Sequence, residues 1–397
     1  MISVHDAKLL VQENIKTLPA QRVPLAMAAG YTLHTDVYAR TAIPAFEQSS
    51  MDGYAIRFEE RENALTLNGE MQAGTENQAV LWPGQAARIF TGAPLPAGAD
   101  TVVMQEKVKV ADGILTILDT AFAEGAHVRN KGAETQQGSL AIQKDCFLTP
   151  AAIGFLAGIG ETEVEIYGIP SVGIIITGKE LQQPGNDLAF GQVYESNSYT
   201  LTAALQQAQI TKLKVYTADD NLDELTLVLQ QALQNHEVVL LTGGVSVGDY
   251  DFVISAAARS GITTIFHRIK QKPGKPLYFG KKGDQVIFGL PGNPSSVLSC
   301  FYQYVLPGLR KMYNYNGKGQ FNALQTREAV LTHDYHKASG LTHFLKAYFE
   351  EEKVTPLSAQ ESFRMSSFAQ ANCMIELEEE ETIFTAGTKV KIYLFPA

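Results

Sequence analysis

Between residues 172 and 311 the chain alternates short apolar runs with stretches of helical period, and few folds accept that pattern. The runs at 172–177 (Val-Gly-Ile-Ile-Ile-Thr), 212–215, 238–242, 263–266 and 286–288 are short, apolar and bounded by turn formers. They predict strands, most of them buried on both faces. Helical patterns over 198–207, 223–234, 251–259 and 295–309 fall between and after them. Strands joined by helical crossovers predict a doubly wound, mostly parallel α/β sheet. Ligands of such sheets bind beyond the carboxyl ends of the strands. That rule gathers residues 177–180, Asp219, 242–251 and 289–296 at one edge.

Three loops at that edge suit an anion. Residues 242–249 read Thr-Gly-Gly-Val-Ser-Val-Gly-Asp. A strand, a glycine-rich turn and a helix aim backbone N–H groups at a ligand, with the helix dipole behind them. Gly243, Gly244 and Gly248 permit close backbone approach, and Ser246 sits among them. Residues 289–296 read Gly-Leu-Pro-Gly-Asn-Pro-Ser-Ser. Pro291 and Pro294 stiffen this turn around Gly292 and Asn293, and Ser295 or Ser296 can cap the helix that follows. Arg268, Lys270, Lys272 and Lys275 then cluster in an otherwise acidic chain of net charge -10. The Pro-Gly-Lys-Pro segment restricts Lys272 and Lys275. A unit-charge pair at 4 Å is worth about 1 kcal/mol in water but about 4 kcal/mol at an effective dielectric near 20. Lysines in a cleft beside helix N-termini therefore suit a multiply charged, oxygen-rich ligand. Singly, each loop also reads as a plain turn, and the lysines as a solvated face.

Carboxylates share the edge. Glu180, Asp219 and Asp251 each follow a core strand, while Asp52 and Glu134 lie in glycine-flanked turns elsewhere. Acidic residues among basic ones suggest a hard cation such as Mg²⁺, held by few protein ligands and by the phosphates of its substrate. Glu180, Asp219 and Asp251 are its candidate ligands; alone, each reads as a cap or turn former.

The 397 residues exceed one ordinary core. Residues 3–18 predict an amphipathic helix with Ser3 as N-cap. A glycine-punctuated β region runs to about residue 127, with an Asp-Gly hairpin at 108–117, and 151–160 predicts a helix. Beyond residue 317 only short β runs follow, predicting an all-β terminal domain. The net charge argues against nucleic acid. No apolar run approaches the roughly 18 residues of a membrane span, and no secretory leader is evident, so the cytoplasm is the expected compartment. Cys146, Cys300 and Cys373 are too scattered for a disulfide framework or zinc site.

Several ordered motifs together resemble the molybdopterin molybdenumtransferase family (MoeA and the gephyrin E domain). They are Ser-Met-Asp-Gly-Tyr-Ala at 50–55, Phe-Thr-Gly-Ala-Pro-Leu-Pro at 90–96, Thr-Gly-Lys-Glu at 177–180 and Val-Tyr-Glu-Ser-Asn at 193–197, with the three loops above. The resemblance implies an elongated N-terminal domain (1–43 and 129–166, discontinuous) that mediates dimerisation. An inserted β domain (44–128), a doubly wound MoaB/MogA-like domain that binds molybdopterin (167–316) and a C-terminal β domain (317–397) complete the expected architecture. It implies insertion of molybdate into adenylylated molybdopterin with release of AMP and a divalent cation. It also implies a homodimer whose cleft is shared between subunits. Asp52, Thr91 and Glu134 would face that cleft from one subunit. Glu180, Asp219, Asp251, Lys272, Lys275, Pro291 and Pro294 would line it from the other. The molybdopterin adenylyltransferase and molybdoenzyme chaperones are the implied partners. A scaffold without turnover, a tungstate-using paralogue and an enzyme of an earlier adenylylation step are the alternatives.

Departures from the family pattern concentrate in two places. Glu134 replaces an aspartate, and Lys179 an acidic residue. In the last domain Leu341 stands where the family has arginine, and Glu361 precedes Ser362 where it has glycine. Lys346 or Arg364 are the candidate substitutes for the missing arginine.

Overall fold

The run Val172–Thr177 is buried along its whole length. Its neighbours in the sheet explain why. In the computed structural model the strand order is Leu213–Ala218, Val172–Thr177, Val238–Thr242, Gln285–Leu290, Tyr278–Lys282, Thr263–His267. The first four are mutually parallel. Alternate residues serve opposite faces. Ile174 and Ile176 pack with Leu201 and Phe288 on one side, and Ile175 packs with Leu229 and Leu241 on the other. Each such side chain contributes about 1.5–3 kcal/mol by leaving water.

Tyr278–Lys282 runs antiparallel to both neighbours and is absent from the sequence reading. Its Gly-Lys-Lys end hides the apolar start behind Pro276. The helix expected at 295–309 is three joined segments: Pro294–Cys300, the π-helical Phe301–Val305 and Leu306–Met312. The N–H of Leu306 bonds back to Phe301, and Pro307, which has no N–H to give, follows that widened turn.

The structure describes residues 1–76, 78–219, 221–243, 252–317 and 324–396. The chain forms two units: Met1–Gln21 with Gly30–His34 and Glu165–Ala397, and Arg22–Ala29 with Thr35–Val164. In the first, the helix Val4–Asn14 is capped by Ser3 and buries Val4, Ala7 and Val11 in the α/β core. It stops short of residue 18 because Ile15 is extended. The strands Gln325–Leu331, Thr342–Glu350, Lys353–Pro356, Cys373–Leu377 and Lys389–Leu394 close into a barrel around Leu345, Val354, Ile375 and Ile392. The all-β expectation needs one correction. The helix Met365–Gln370 stacks Phe368 against Phe395 and Tyr302.

The second unit holds a six-stranded sheet from Gly53 to Ile117. Its hairpin turns at Asp112 and Gly113, both at positive φ, as a two-residue turn between twisted strands requires. Helix Pro150–Gly158 is capped by Thr149. Among the described residues no helix is long and apolar enough to cross a membrane, and the three cysteines are free thiols.

Candidate active site

A cleft of about 850 Å³ opens at the carboxyl edge of the parallel strands. Gly243, directly after strand Val238–Thr242, takes φ +87°, and a methyl there would stand 2.4 Å from the Thr177 carbonyl. Only glycine lets the two strand ends pass so closely. A side chain on Gly292 would point to the Cα of Gly243, at 3.9 Å. Two of the expected loops therefore meet, and Pro291, Gly292, Asn293, Pro294 and Ser296 all line the cleft. Gly244, Ser246, Gly248 and Asp251 lie outside the described residues.

The third loop faces them. Lys272 and Lys275 line the cleft and are exposed. Neither makes an ion pair among the described residues. Their loop is held from below by Gln271, which is fully buried. The Gln271 amide donates to the carbonyls of Pro273 (2.9 Å) and Gly274 (3.4 Å) and accepts from the Tyr304 hydroxyl at 2.5 Å. Lys270 is spent on Glu379 at 2.6 Å. The lysine cluster thus divides into two cleft residues and one surface pair.

Glu180 lines the cleft, exposed, with its carboxylate folded toward Gly178. Asp219 sits at the end of strand Leu213–Ala218, its N–H bonded to Glu224, and is not part of the cleft lining. Among the described residues no three histidine, cysteine or acidic side chains converge as a metal-binding group. Glu195 lines the cleft but is committed to the N–H and hydroxyl of Ser198 at 2.8 and 2.5 Å. Asn197 donates to the Gly292 carbonyl at 2.9 Å.

The barrel supplies the remaining wall through Leu341, Gln360, Ser362 and Phe363. Ser362 takes over the role expected of Ser295 or Ser296. Its carbonyl accepts the Ser295 N–H at 3.1 Å, and its hydroxyl accepts from Asn293 at 2.7 Å. The Ser295 hydroxyl itself is buried without a partner among the described residues. The two candidate substitutes for arginine are both committed. Lys346 is buried and donates to the carbonyls of Ala359 (2.8 Å), Glu361 (3.4 Å) and Arg364 (3.0 Å). Arg364 pairs with Glu361 at 3.6 Å. His343, bridged to Lys272 through strand pairing, is buried. Its pKa is pushed down to about 4 by desolvation, then by Lys272 and Lys337.

In the other unit, three distant motifs are stitched together. Asp52 accepts from the Thr91 N–H and hydroxyl, both at 2.8 Å. The N–H bond, then the hydroxyl, holds its carboxyl below the usual range. Ser50 bonds through its N–H to the His127 carbonyl at 2.9 Å, and Glu134 through its N–H to Ile43 at 2.9 Å. Arg88 spans Tyr54 and Phe90 and donates to the Gly53 carbonyl. Sequence reading missed Gln271, Tyr304, His343 and Ser362. Each meets a residue distant in the sequence, and only the fold shows that.

Three family models match in chain order. They are the MoeA N-terminal region (domain I and II) over residues 2–160, the probable molybdopterin binding domain over 173–311 and the MoeA C-terminal region (domain IV) over 328–395. A molybdopterin molybdenumtransferase of Haemophilus influenzae is 34% identical over 406 residues, covering 100% of this chain and 99% of its own. One from a Nostoc species is 32% identical over 421 residues, covering 100% and 94%. Two crystal structures of a molybdopterin biosynthesis MoeA protein from Pyrococcus horikoshii superpose with TM-scores of 0.85 and 0.76 at 28% and 27% identity, each over 100% of both chains.

Proposed function

The chain belongs to the molybdopterin molybdenumtransferase (MoeA) family, and from that premise we propose that its cleft inserts molybdenum from molybdate into adenylylated molybdopterin and releases AMP. It is an enzyme of molybdenum cofactor biosynthesis. The observation that carries the site assignment is the pair Lys272 and Lys275, free of ion pairs among the described residues, held opposite the joined Gly243 and Gly292 loops. Two anions must share this cleft, a substrate pyrophosphate and an oxyanion, and two fixed cations beside backbone N–H groups neutralise both.

The chemistry balances without a further reactant. Condensing two thiols with molybdate releases one water, and breaking the pyrophosphate bond consumes one, with AMP as the leaving group. The protein's part is to orient the attacking oxygen in line and to screen charge on the phosphates, the usual division of labour at phosphorus. Glu180, exposed on the cleft wall and without a cation partner among the described residues, fits a Mg²⁺ ion that takes its other ligands from phosphate and water. Such an ion would neutralise phosphate charge. Asp219 and Asp251 remain candidates for the same ion.

The same proposal includes the domain division given above, cytoplasmic location and a homodimer in which Asp52, Thr91 and Glu134 of a second copy complete the cleft. What supports this last element is the bonding of Asp52 to Thr91 and of Ser50 to His127, which leads to the Glu134 segment. Mixing an Asp52→Asn variant with a Lys275→Ala variant should restore part of the activity that each lacks; no recovery after subunit exchange would reject the shared cleft. The central test is AMP release by the pure protein given adenylylated molybdopterin, Mg²⁺ and molybdate. Absence of molybdate-dependent release sinks the proposal.

A further inference from the structure

We propose that Gln271 and Tyr304 form one positioning unit that sets the two cleft lysines in register with the loop opposite. The inference rests on the cleft assignment above and adds two buried residues that act through the lysine loop, Gln271 bordering the cleft from below. Loop 272–276 crosses the top of a fully buried polar group. Gln271 bonds the Pro273 and Gly274 carbonyls with one end of its amide and the Tyr304 hydroxyl with the other. The Cys300 thiol fills the remaining space, 3.5 Å from the Gln271 nitrogen and 3.8 Å from the Gly274 carbonyl. There is no slack. Gly274 takes φ +92°, and a methyl there would stand 2.5 Å from that sulfur and 2.6 Å from the amide nitrogen.

The other end of the unit explains its reach. Tyr304 lies in the π-helical segment Phe301–Val305, which continues the helix Pro294–Cys300. That helix begins with Pro294 and Ser296 on the cleft wall. One side-chain chain therefore ties the lysine loop to the foundation of the Pro291–Asn293 turn, so the cations and the opposing backbone move as a body. A buried polar network fully satisfied in this way specifies a single arrangement. If it fails, the lysines shift by a fraction of their reach and hold the anions less tightly in ground and transition state alike, which raises KM more than it lowers kcat.

The test uses the full chain with Gln271→Met, Tyr304→Phe and the double variant. AMP release is measured against molybdate and adenylylated molybdopterin, and inorganic pyrophosphate binding by calorimetry. Gln271→Met should raise KM about 10–100-fold with kcat little changed. Tyr304→Phe should move KM the same way by about threefold to tenfold. The double variant should be no worse than Gln271→Met, because both act through one loop. A lowered melting temperature with unchanged KM and unchanged pyrophosphate affinity overturns the inference and leaves a purely structural role. Should Gln271→Met fail to fold, Tyr304→Phe keeps its ring and decides alone: an unchanged KM overturns the inference. If the unaltered protein releases no AMP, the functional reading fails instead. The pyrophosphate affinities of the variants then still judge the positioning unit.

Discussion

Two pairs of lysines stand at or beneath the same cleft and live in opposite circumstances. Lys272 and Lys275 are exposed, unpaired among the described residues, and carried on a loop anchored from below. Lys337 and Lys346 are buried, and their ammonium groups are consumed by backbone carbonyls. Lys337 holds Leu341 and Glu379, each at 3.0 Å, and Lys346 holds the 359–364 segment. Burial pushes the pKa of both down. The first pair leaves its charge open to the cleft. The second uses its charge to fold the rim. A lysine near a site is thus a ligand group only when the fold has left its donors unspent.

The largest effect that can break this contrast is on stability. Lys346→Met keeps the stem and strands three carbonyls, so unfolding should become easier by about 3–5 kcal/mol while KM for molybdate holds. Denaturant titration with steady-state kinetics checks it; a raised KM at unchanged stability would place Lys346 with the ligand. Lys275→Ala should do the reverse. It should lower kcat/KM by about 10²–10³-fold and move unfolding by less than about 0.5 kcal/mol. Equal losses in both measurements would erase the distinction.

His343 sits between the pairs and reports on both. Its folded pKa, about 4, lies below the ordinary 6.5, so between those values the unfolded chain binds the extra proton. Stability therefore rises with pH across that window and falls as pH drops through it, by at most about 3 kcal/mol. His343→Gln should flatten this part of the pH–stability curve. Lys272→Ala, by removing one repelling charge, should flatten it in part. An unaltered slope in His343→Gln would mean that other groups carry the acid transition.

The parallel sheet and its loop edge were legible because buried strands announce themselves as β-branched runs and because sheet topology dictates where loops gather. Gly243 and Pro291 followed from that rule, and Lys272 and Lys275 from the basic cluster with its Pro-Gly-Lys-Pro restraint. What stayed hidden has a common cause. Strand Tyr278–Lys282 is antiparallel and carries lysines at its end, so its pattern is mixed. Gln271 and Tyr304 are polar residues in apolar surroundings, and nothing in a one-dimensional pattern says that they meet. Lys346 and Arg364 were indistinguishable from ligand-facing cations because their partners are carbonyls and a local carboxylate, not residues marked by type. The acidic residues illustrate the same limit: Glu180 reaches the cleft wall and Asp219 does not, although each follows a core strand.

The smallest expected effect sharpens the contrast most directly. Leu341 lines the cleft where the family pattern has arginine, and its carbonyl is already fixed by Lys337. The rim therefore has the backbone of an anion contact without the charge. Leu341→Arg adds a cation on a prepared stem that has no competing carbonyl assigned to it. A hydrated unit-charge pair about 4 Å apart is worth about 1 kcal/mol, so KM for molybdate should fall about fivefold and the gain should shrink as salt is added. If KM is unchanged at low salt, the oxyanion sits away from the barrel rim. Lys272 and Lys275 would then bear the whole charge of the site, and the buried pair beneath the rim would be scaffold alone.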